Sequence, residues 1–241
     1  MITQHAEQSF VNLHDWFHTP HGERVAAAFA DELKEPSDAI HGESLLQFTS
    51  CGQNPWLKQF SFKNQWIASS SSSLDNTSII TSFTALPFER DSIDCIIAPL
   101  TLEAYPAHMT PIDEMDRVLR PNGHIVFFGI NPHGLWGLQA KLSQSSCFKK
   151  ESVHLHTGYY LRREMMHRGY KPCFWSAFYY IPPVESEAWV ARLEVLNTVG
   201  NMLWSIPSGF YCFIVKKQTL SLLRPQRIQT SPIIAPIISL T

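Results

Sequence analysis

Side chains able to bind or orient a polar substrate follow two apolar runs of this sequence. Carboxyl, phenol, imidazole, amide and indole groups all form hydrogen bonds, and the first three also exchange protons. If the apolar runs are strands of an open α/β sheet, ligands bind beyond their carboxyl ends. By position alone, the substrate-side candidates are Glu103, Tyr105, His108, Asn131 and Trp136.

Alternating strand and helix patterns over residues 44–129 must position these side chains. Short apolar runs bounded by turns predict buried strands near residues 45–48, 65–68, 78–83, 93–98 and 124–129. The segment 110–119 predicts a helix that stops at residues 120–123, whose sequence is RPNG. Such alternation indicates βαβ units, a parallel sheet and right-handed crossovers.

Further elements flank this central region. Apolar residues at helical spacing predict a short helix from about residue 9, a turn at residues 19–22 and a second helix over about 22–34. The later patterns predict helices near 134–144, 157–168 and 185–199, and strands over 171–180 and 210–217. The last segment carries Pro225, Pro232 and Pro236, and proline cannot continue a helix or an inner strand there.

These patterns predict one main domain with two appendages. We expect an N-terminal helical cap over residues 1–40, an α/β domain over 41–217 and a proline-containing tail over 218–241. The tail is too apolar for a fully solvated segment, so we expect it to be extended and to dock on the protein. The aromatic residues near the last strands are candidates for a substrate pocket, a dimer face or ordinary core. If they form a dimer face, the protein is a homodimer.

Composition excludes several classes of protein. Charged residues make up 17% of the 241 residues, and the net charge is −2, which argues against a nucleic-acid binder. Neither a signal peptide nor a transmembrane run is apparent, so we expect a cytoplasmic protein. The five cysteines are widely spaced and form no CxxC pair, which argues against a disulfide framework or a zinc–cysteine site.

Other catalytic or metal-binding patterns are weak. His14, His18 and His21 fall near one helix face and could bind a metal, but Pro20 interrupts the geometry, and we predict solvated histidines and no metal. No G-x-S-x-G elbow and no G-x-G-x-x-G fingerprint occurs, so a serine hydrolase and a dinucleotide-binding enzyme have little support.

A longer run of motifs is similar to a known family. Residues 85–88 have the sequence ALPF, residues 91–97 DSIDCII, and residues 114–123 EMDRVLRPNG. This combination resembles the class I S-adenosylmethionine-dependent methyltransferases, and more closely the methyltransferase type 11 group. The segments GESLLQ at 42–47, PLTLE at 99–103 and NPHGLWG at 131–137 resemble a proteobacterial branch of that group.

The resemblance implies a fold, a cofactor and a set of binding residues. The fold would be a Rossmann-like class I methyltransferase sheet of seven strands, mostly parallel, with the last strand antiparallel and helices on both faces. The N-terminal helices would cap the cofactor edge. S-adenosylmethionine would be the cofactor, and a small molecule or macromolecule of unknown identity the methyl acceptor. The implied cofactor-binding residues are Gln47, Phe48, Thr49, Ser50, Gly52, Ser69, Ser82, Phe83, Pro99 and Leu100.

The cofactor segment departs from the family pattern (D/E)-x-G-x-G-x-G. Gln47 stands in place of the acid, Thr49 and Cys51 replace two glycines, and Gly52 is offset by one position. The acids expected after the second and third strands are replaced by serines. Methyl transfer needs mainly alignment of the reactants, so the sequence identifies no catalytic residue. Two functions stay open: a methyltransferase, or a degenerate methyltransferase fold that acts as a binding or regulatory module.

Overall fold

A sheet of seven strands forms the centre of the computed structural model, which describes residues 2–71, 76–105, 111–142, 154–184, 187–200 and 207–218. The strands are β1 (Ser44–Phe48), β2 (Asn64–Ser69), β3 (Ile79–Ile80), β4 (Ile93–Pro99), β5 (Leu119–Ile130), β6 (Tyr170–Phe178) and β7 (Phe210–Lys217). Their order in the sheet is β3-β2-β1-β4-β5-β7-β6. Strands β1 and β4 lie at the centre and are buried on both faces, which explains their nearly continuous apolar sequences.

Strand direction follows the predicted pattern. Strand β1 pairs in parallel with β2 and β4, and β4 pairs in parallel with β5. Strand β7 is antiparallel to both of its neighbours, β5 and β6. The prediction of a mostly parallel seven-stranded sheet whose last strand is antiparallel is therefore confirmed. Because β1 and β4 are neighbours whose connections run in opposite directions across the sheet, their carboxyl ends mark the topological switch point.

Helices flank this sheet. They are α1 (Ile2–Phe17), α2 (Pro20–Glu32), α3 (Ile112–Val118), α4 (Leu135–Lys141), α5 (Gly158–His167), α6 (Glu187–Leu193) and α7 (Val195–Gly200). Short 3-10 turns cover Pro36–Ala39 and Pro55–Gln59. The single helix predicted over residues 185–199 is two short helices. No helix in the described part of the chain is long and apolar enough to cross a membrane.

Two local predictions need correction. The strand predicted over residues 78–83 is limited to Ile79–Ile80, because the chain turns back on itself where the Ala85 N–H donates to the Ser82 carbonyl at 3.1 Å. The RPNG segment was predicted to stop a helix in a turn. The helix does end before it, at Val118, but the segment itself belongs to β5, where Asn122 adopts a φ of 67°.

The turn between α1 and α2 is built by its own sequence. The Thr19 hydroxyl accepts a hydrogen bond from the Gly22 N–H at 3.1 Å, and Pro20 takes the first helical position, where no N–H is needed. A Cβ at Gly22 would lie 2.1 Å from the Trp16 carbonyl oxygen. Only glycine therefore lets the two helices approach as closely as they do.

An ion pair fixes the helix after β4 to the ALPF corner. The Arg117 guanidinium bonds both carboxylate oxygens of Glu114 and donates to the Leu86 and Phe88 carbonyls, each at 2.9 Å. Glu114 in turn accepts from the Leu86 N–H at 3.0 Å. Arg117 therefore has a structural role, because it ties α3 to residues 86–88.

The N-terminal helices share the core of the sheet. The Phe29 ring of α2 stacks on Phe128 of β5 with 4.1 Å between centroids, and Trp56 lies 5.8 Å from Phe29. The division into a cap over residues 1–40 and a domain over 41–217 stays a prediction. The tail from residue 219 lies outside the described residues.

Candidate functional site

The loop after β1 keeps a glycine-like backbone at a residue that is not glycine. Thr49 has a φ of 58°, and Gly52 has a φ of 59°. A left-handed conformation costs a residue with a Cβ about 1–2 kcal/mol, and it is especially rare for a β-branched side chain. The Thr49 N–H donates to the Ala68 carbonyl of β2 at 2.7 Å, which helps to hold this conformation. Thr49 is also the position where the family resemblance places the first glycine.

The Gln47 side chain is the centre of a buried hydrogen-bond network. Its Oε1 accepts from the Trp56 indole N–H at 2.8 Å, and its Nε2 donates to the Thr49 carbonyl at 2.9 Å and to Asn54 Oδ1. Asn54 Oδ1 also accepts from the Cys51 N–H at 2.9 Å. Gln47 and Trp56 have no exposed surface. The amide therefore closes the loop on itself, in the place where the family pattern has a carboxylate.

Sequence reasoning missed Asn54 and Trp56 as partners of this loop. The signal was present in the segment Asn54-Pro55-Trp56, since asparagine tolerates a left-handed backbone and proline starts a turn. Asn54 has a φ of 48°, and the turn that follows it carries the Trp56 indole under the loop.

Helix α1 covers the outer side of the loop. The His14 ring Nδ1 lies 3.1 Å from the Ser50 carbonyl, and a Cβ at Gly52 would lie 3.0 Å from the Phe17 carbonyl oxygen. Phe10 and Leu13 of the same helix have no exposed surface. Gln53, in contrast, is exposed and fills no cavity.

Phe48 and Phe83 form a stack beside the loop. Their ring centroids are 4.7 Å apart at an angle of 20°, and Phe10 meets Phe83 edge-on at 4.9 Å. Both residues lie where the resemblance places the cofactor, but in this structure their faces are occupied by each other and by α1.

Three buried hydroxyl groups near the ends of β1 and β2 have no hydrogen-bond partner among the described residues. They are Thr49 Oγ1, Ser50 Oγ and Ser70 Oγ. An unpaired buried hydroxyl costs about 1–3 kcal/mol, so such a group needs an explanation. A polar ligand would supply the missing partners only after α1 had moved away from the loop, because Thr49 and Ser50 have no exposed surface in this structure. The residues present therefore fit a hydrogen-bonding cofactor, although they offer it no carboxylate.

The other two predicted serines are already bonded. Ser69 is buried and its hydroxyl accepts from the Ser71 N–H at 3.1 Å. The Ser82 hydroxyl lies 2.9 Å from the Thr84 hydroxyl and is half-buried. The structure thus adds Ser70 to the set that the sequence proposed, because Ser70 is the β2-end serine whose hydroxyl is unpaired.

The end of β4 lies beside this site. Pro99 closes the strand, and the Leu100 N–H donates to the Phe128 carbonyl at 2.8 Å. Leu100 has a φ of 49° and no exposed surface. Like Thr49, it is a non-glycine residue held in the left-handed region at the carboxyl edge of the sheet. Strained residues of this kind concentrate at functional sites.

Glu103 is a buried carboxyl group between β4 and β5. Its Oε1 accepts from the Ile130 N–H at 3.0 Å, and the side chain is almost wholly buried. Burial raises the pKa of Glu103 to about 7, against the opposing effect of the backbone hydrogen bonds. Tyr105 is also buried, 5.6 Å from the Phe10 ring, and burial raises its pKa. His108 lies outside the described residues.

Asn131 and Trp136 lie beyond the end of β5. Asn131 donates to the Ser208 hydroxyl at 3.3 Å, and the Trp136 indole N–H donates to the Ile181 carbonyl at 2.8 Å. Of the four substrate-side candidates among the described residues, two follow β4 and two follow β5, and Glu103 reaches the β5 end through the Ile130 N–H. Glu103 and Tyr105 lie on the β4 side, whereas Asn131 and Trp136 lie on the β5 and β7 side.

The histidines of α1 and α2 do not form one face. His14 Nε2 lies 3.2 Å from His18 Nε2, whereas His21 Nε2 lies 3.2 Å from the Tyr179 hydroxyl. His14 is buried, so the interpretation of all three histidines as solvated is wrong for it. The contact between its Nδ1 and the Ser50 carbonyl holds the His14 ring inside the protein. Within the described residues, no group of three or more His, Cys, Asp or Glu side chains could hold a metal ion.

Solved structures share this fold at low sequence identity. An S-adenosylmethionine-dependent methyltransferase of Thermotoga maritima superposes with a TM-score of 0.58 and 14% identity, covering 89% of this chain and 99% of its own. A protein of Haloferax volcanii solved with the Trm112 methyltransferase activator gives 0.59 and 13%, covering 86% and 98%. The cyclase SpnF gives 0.51 and 14%, covering 80% of each chain. No curated protein sequence matches this one.

A family model matches part of this chain. Residues 58–127 match the methyltransferase domain model. Over this segment the chain is similar to methyltransferase domains, and its sheet has the class I methyltransferase fold. The match to this methyltransferase domain begins after the Gln47–Gly52 loop and spans β2 to most of β5. Recognition therefore depends on the strands and on the Glu114–Arg117 corner, and not on the loop that would meet the cofactor.

Proposed function

We propose that this chain is an S-adenosylmethionine-dependent methyltransferase that binds its cofactor beyond the carboxyl ends of β1 and β2. The observation that carries the proposal is the set of unpaired buried hydroxyls of Thr49, Ser50 and Ser70. Thr49 and Ser50 follow β1 at the switch point of the sheet, where ligands of open α/β folds bind, and Ser70 follows the adjacent strand β2. A cofactor that carries an amino acid and a ribose would satisfy all three.

The residues that would hold the cofactor come from three strand ends. Thr49, Ser50 and Gly52 would face its amino-acid part, Ser69 and Ser70 its ribose, and Phe83 and Leu100 its base and sulfonium region. Phe48, Ser82, Pro99 and Gln47 would support this wall from below. When bound, the cofactor supplies a methyl group activated on a positively charged sulfur.

The chain's own contribution is alignment. Holding the acceptor in line with the methyl carbon can provide about 7–11 kcal/mol of the barrier reduction without any acid or base. Helix α1 forms the outer wall of the site, since His14 contacts the Ser50 carbonyl and Phe17 lies against Gly52. This wall excludes water from the loop. No residue is assigned a catalytic role, and the methyl acceptor, small molecule or macromolecule, is unknown.

Finer features of the assignment rest on the sequence. The motifs at residues 42–47, 99–103 and 131–137 support membership of the proteobacterial methyltransferase branch, and so a bacterial, cytoplasmic protein. The replacement of the family acids by Gln47 and serines supports a cofactor site that works through neutral hydrogen bonds. A homodimer stays a prediction.

The second candidate is a module without catalysis, and the hydrogen-bond network around Gln47 favours it. Gln47, Asn54 and Trp56 satisfy one another without any ligand, and the Phe48–Phe83 stack fills space beside them. A degenerate methyltransferase domain of this kind would bind a partner or regulate one. The two candidates differ in one measurable property, which is affinity for the cofactor.

Calorimetry with S-adenosylhomocysteine tests the proposal. We expect binding by the full chain, and we expect the triple variant Thr49→Val, Ser50→Ala, Ser70→Ala to bind at least tenfold more weakly, since it removes three hydrogen-bonding groups. The variant Ser61→Ala, at an exposed serine, is the matched control. Absence of heat at millimolar ligand, with the folded state verified by circular dichroism, would exclude the methyltransferase function and leave the binding module.

A further inference from the structure

A cavity of about 200 Å³ lies beyond the carboxyl end of β5, separate from the hydroxyl groups near β1 and β2. Its walls include Trp136, Tyr179, Tyr180, Ile181, Pro207 and Gly209. These residues come from α4, the end of β6 and the segment before β7. None of the side chains that line the cavity carries a charge, so the space suits an apolar molecule.

Trp136 is fixed as one wall of this cavity. Its indole N–H donates to the Ile181 carbonyl at 2.8 Å, and its ring contacts Phe210 at 5.2 Å and Trp16 at 5.7 Å between centroids. Gly209 leaves the space that the Trp136 indole occupies. A Cβ at Gly209 would lie 2.5 Å from Trp136 Cδ1 and 2.9 Å from the Tyr179 carbonyl oxygen, so a larger residue would push the indole into the cavity.

Tyr179 is held in a strained conformation on the opposite wall. Its φ is 61°, and its carbonyl accepts from the Gly209 N–H at 2.8 Å. An aromatic residue in the left-handed region costs about 1–3 kcal/mol and persists only where its surroundings enforce it. Here the conformation directs the phenol toward α2, where its hydroxyl lies 3.2 Å from His21 Nε2.

His21 sets the direction of that hydrogen bond. Burial and the nearby Arg24 lower the pKa of His21, which favours the neutral ring, whereas a hydrogen bond with the Val184 backbone acts in the opposite direction. In the tautomer whose Nε2 is unprotonated, the Tyr179 hydroxyl donates to His21 Nε2. Among the described residues the Tyr179 oxygen has no other hydrogen-bond partner, so it can accept from a second donor.

We propose that this cavity binds the methyl acceptor, and that the acceptor is a flat, uncharged molecule of one or two rings with a hydroxyl or amine group that donates to the Tyr179 oxygen. The proposal rests on the methyltransferase function proposed above. Pockets for drug-sized ligands hold roughly 300–1,000 Å³, so 200 Å³ sets the upper size of the acceptor at a small ring system. Tyr179 positions the donor group, and His21 orients Tyr179.

Two soluble probes that differ only in a hydroxyl group test the donor. Calorimetry on the full chain without cofactor compares 5-hydroxyindole with indole. We expect 5-hydroxyindole to bind about fivefold more tightly, which corresponds to one neutral hydrogen bond. Tyr179→Phe should remove this preference while leaving the affinity for indole within twofold. Equal affinities of the two probes for the unmodified protein would overturn the proposal.

Gly209→Ala tests the cavity itself. The added Cβ should displace the indole and reduce the binding of both probes at least tenfold, whereas Leu138→Ala, an exposed position on the same helix as Trp136, should leave binding unchanged. Unchanged binding to a folded Gly209→Ala variant contradicts the proposal, and if this variant does not fold, the Tyr179→Phe comparison decides alone. Titration of S-adenosylhomocysteine separates the two proposals: probe binding without cofactor binding overturns the methyltransferase function, and the reverse overturns only this pocket.

Discussion

The two ends of the same sheet edge use polar groups in opposite ways. At the end of β1, the Gln47 amide is wholly buried and bonded to Trp56, Asn54 and the Thr49 backbone. At the end of β5, the Asn131 amide is half-buried, and Trp136 and Tyr179 line a cavity. The β1 end is closed by its own side chains and by α1, whereas the β5 end retains space for a ligand.

This difference shows how a fold can keep its frame while its binding loop changes. Thr49 retains a backbone conformation suited to glycine, so the sheet and its connections impose the loop path whatever residue stands there. The side-chain contacts of the loop are different, because an amide can pair with neutral groups where a carboxylate would need a cation. The predictions below test how far the two ends differ, beginning with the largest expected effect.

Gln47→Leu should have the largest effect on stability. It leaves the Trp56 N–H and the Thr49 carbonyl buried without partners, so we expect a loss of about 4 kcal/mol in the free energy of unfolding. The matched variant at the β5 end, Asn131→Leu, should cost about 1–2 kcal/mol, because the His133 N–H that it leaves unpaired is exposed and only the Ser208 hydroxyl is buried. Urea denaturation measures both. Equal losses would show that the two ends do not differ in burial.

Glu103→Gln should change how stability depends on pH. The pKa of Glu103 rises from 4.5 to about 7 on folding, so the carboxyl group favours the folded state only while protonated. Its stabilising contribution is present below about pH 4.5 and is lost as the pH rises through about 7, a change on the order of 3 kcal/mol. Relative to Glu103→Gln, the unmodified protein should therefore lose stability between these values. Parallel pH profiles in chemical denaturation would contradict the assigned burial.

Thr49→Gly should show the strain stored at the β1 end. Loss of the side chain and the greater flexibility of glycine destabilise the protein, but relief of the left-handed φ offsets this by about 1–2 kcal/mol. Thr101 is equally buried but does not have a positive φ, so Thr101→Gly relieves no backbone strain. We expect Thr49→Gly to be close to neutral and Thr101→Gly to cost about 2 kcal/mol in thermal denaturation. A cost at Thr49 as large as that at Thr101 would mean that no strain is stored there.

Ser70→Ala should have the smallest effect on stability. Its hydroxyl is buried without a partner among the described residues, so its removal should leave the free energy of unfolding unchanged or raise it by up to about 1 kcal/mol. Ser69→Ala, which removes a bonded hydroxyl from the same strand end, should cost about 1 kcal/mol. A larger loss of stability for Ser70→Ala than for Ser69→Ala would show that the Ser70 hydroxyl has a hydrogen-bond partner in the folded protein without a cofactor.

Much of the frame could be predicted from the sequence. Strands β1, β4 and β7 are buried on both faces or nearly so, and their apolar sequences indicate this burial. The third strand was predicted too long, because the hydrogen bond between Ala85 and Ser82 that turns the chain leaves no periodic signal.

The candidate sites were predicted less completely, since their contacts join distant parts of the chain. The sequence identified Gln47, Thr49 and Ser50 by position, but it gave no partner for Gln47 and did not single out Ser70. Trp136 was a substrate-side candidate and Tyr179 belonged to the aromatic residues that could form a pocket. The bond between Tyr179 and His21 was not predicted, because 158 residues separate the two.

From local periodicity and residue identity, the sequence by itself determined the strands, the parallel core of the sheet and the absence of acids at the proposed cofactor edge, whereas the antiparallel last strand was implied by the family resemblance. Only the tertiary structure decided that the β1 loop is closed over a buried amide and that the β5 end holds a cavity. Both depend on which side chains meet after the chain has packed. Burial then fixes the strength of each hydrogen bond and the cost of each one left unmade.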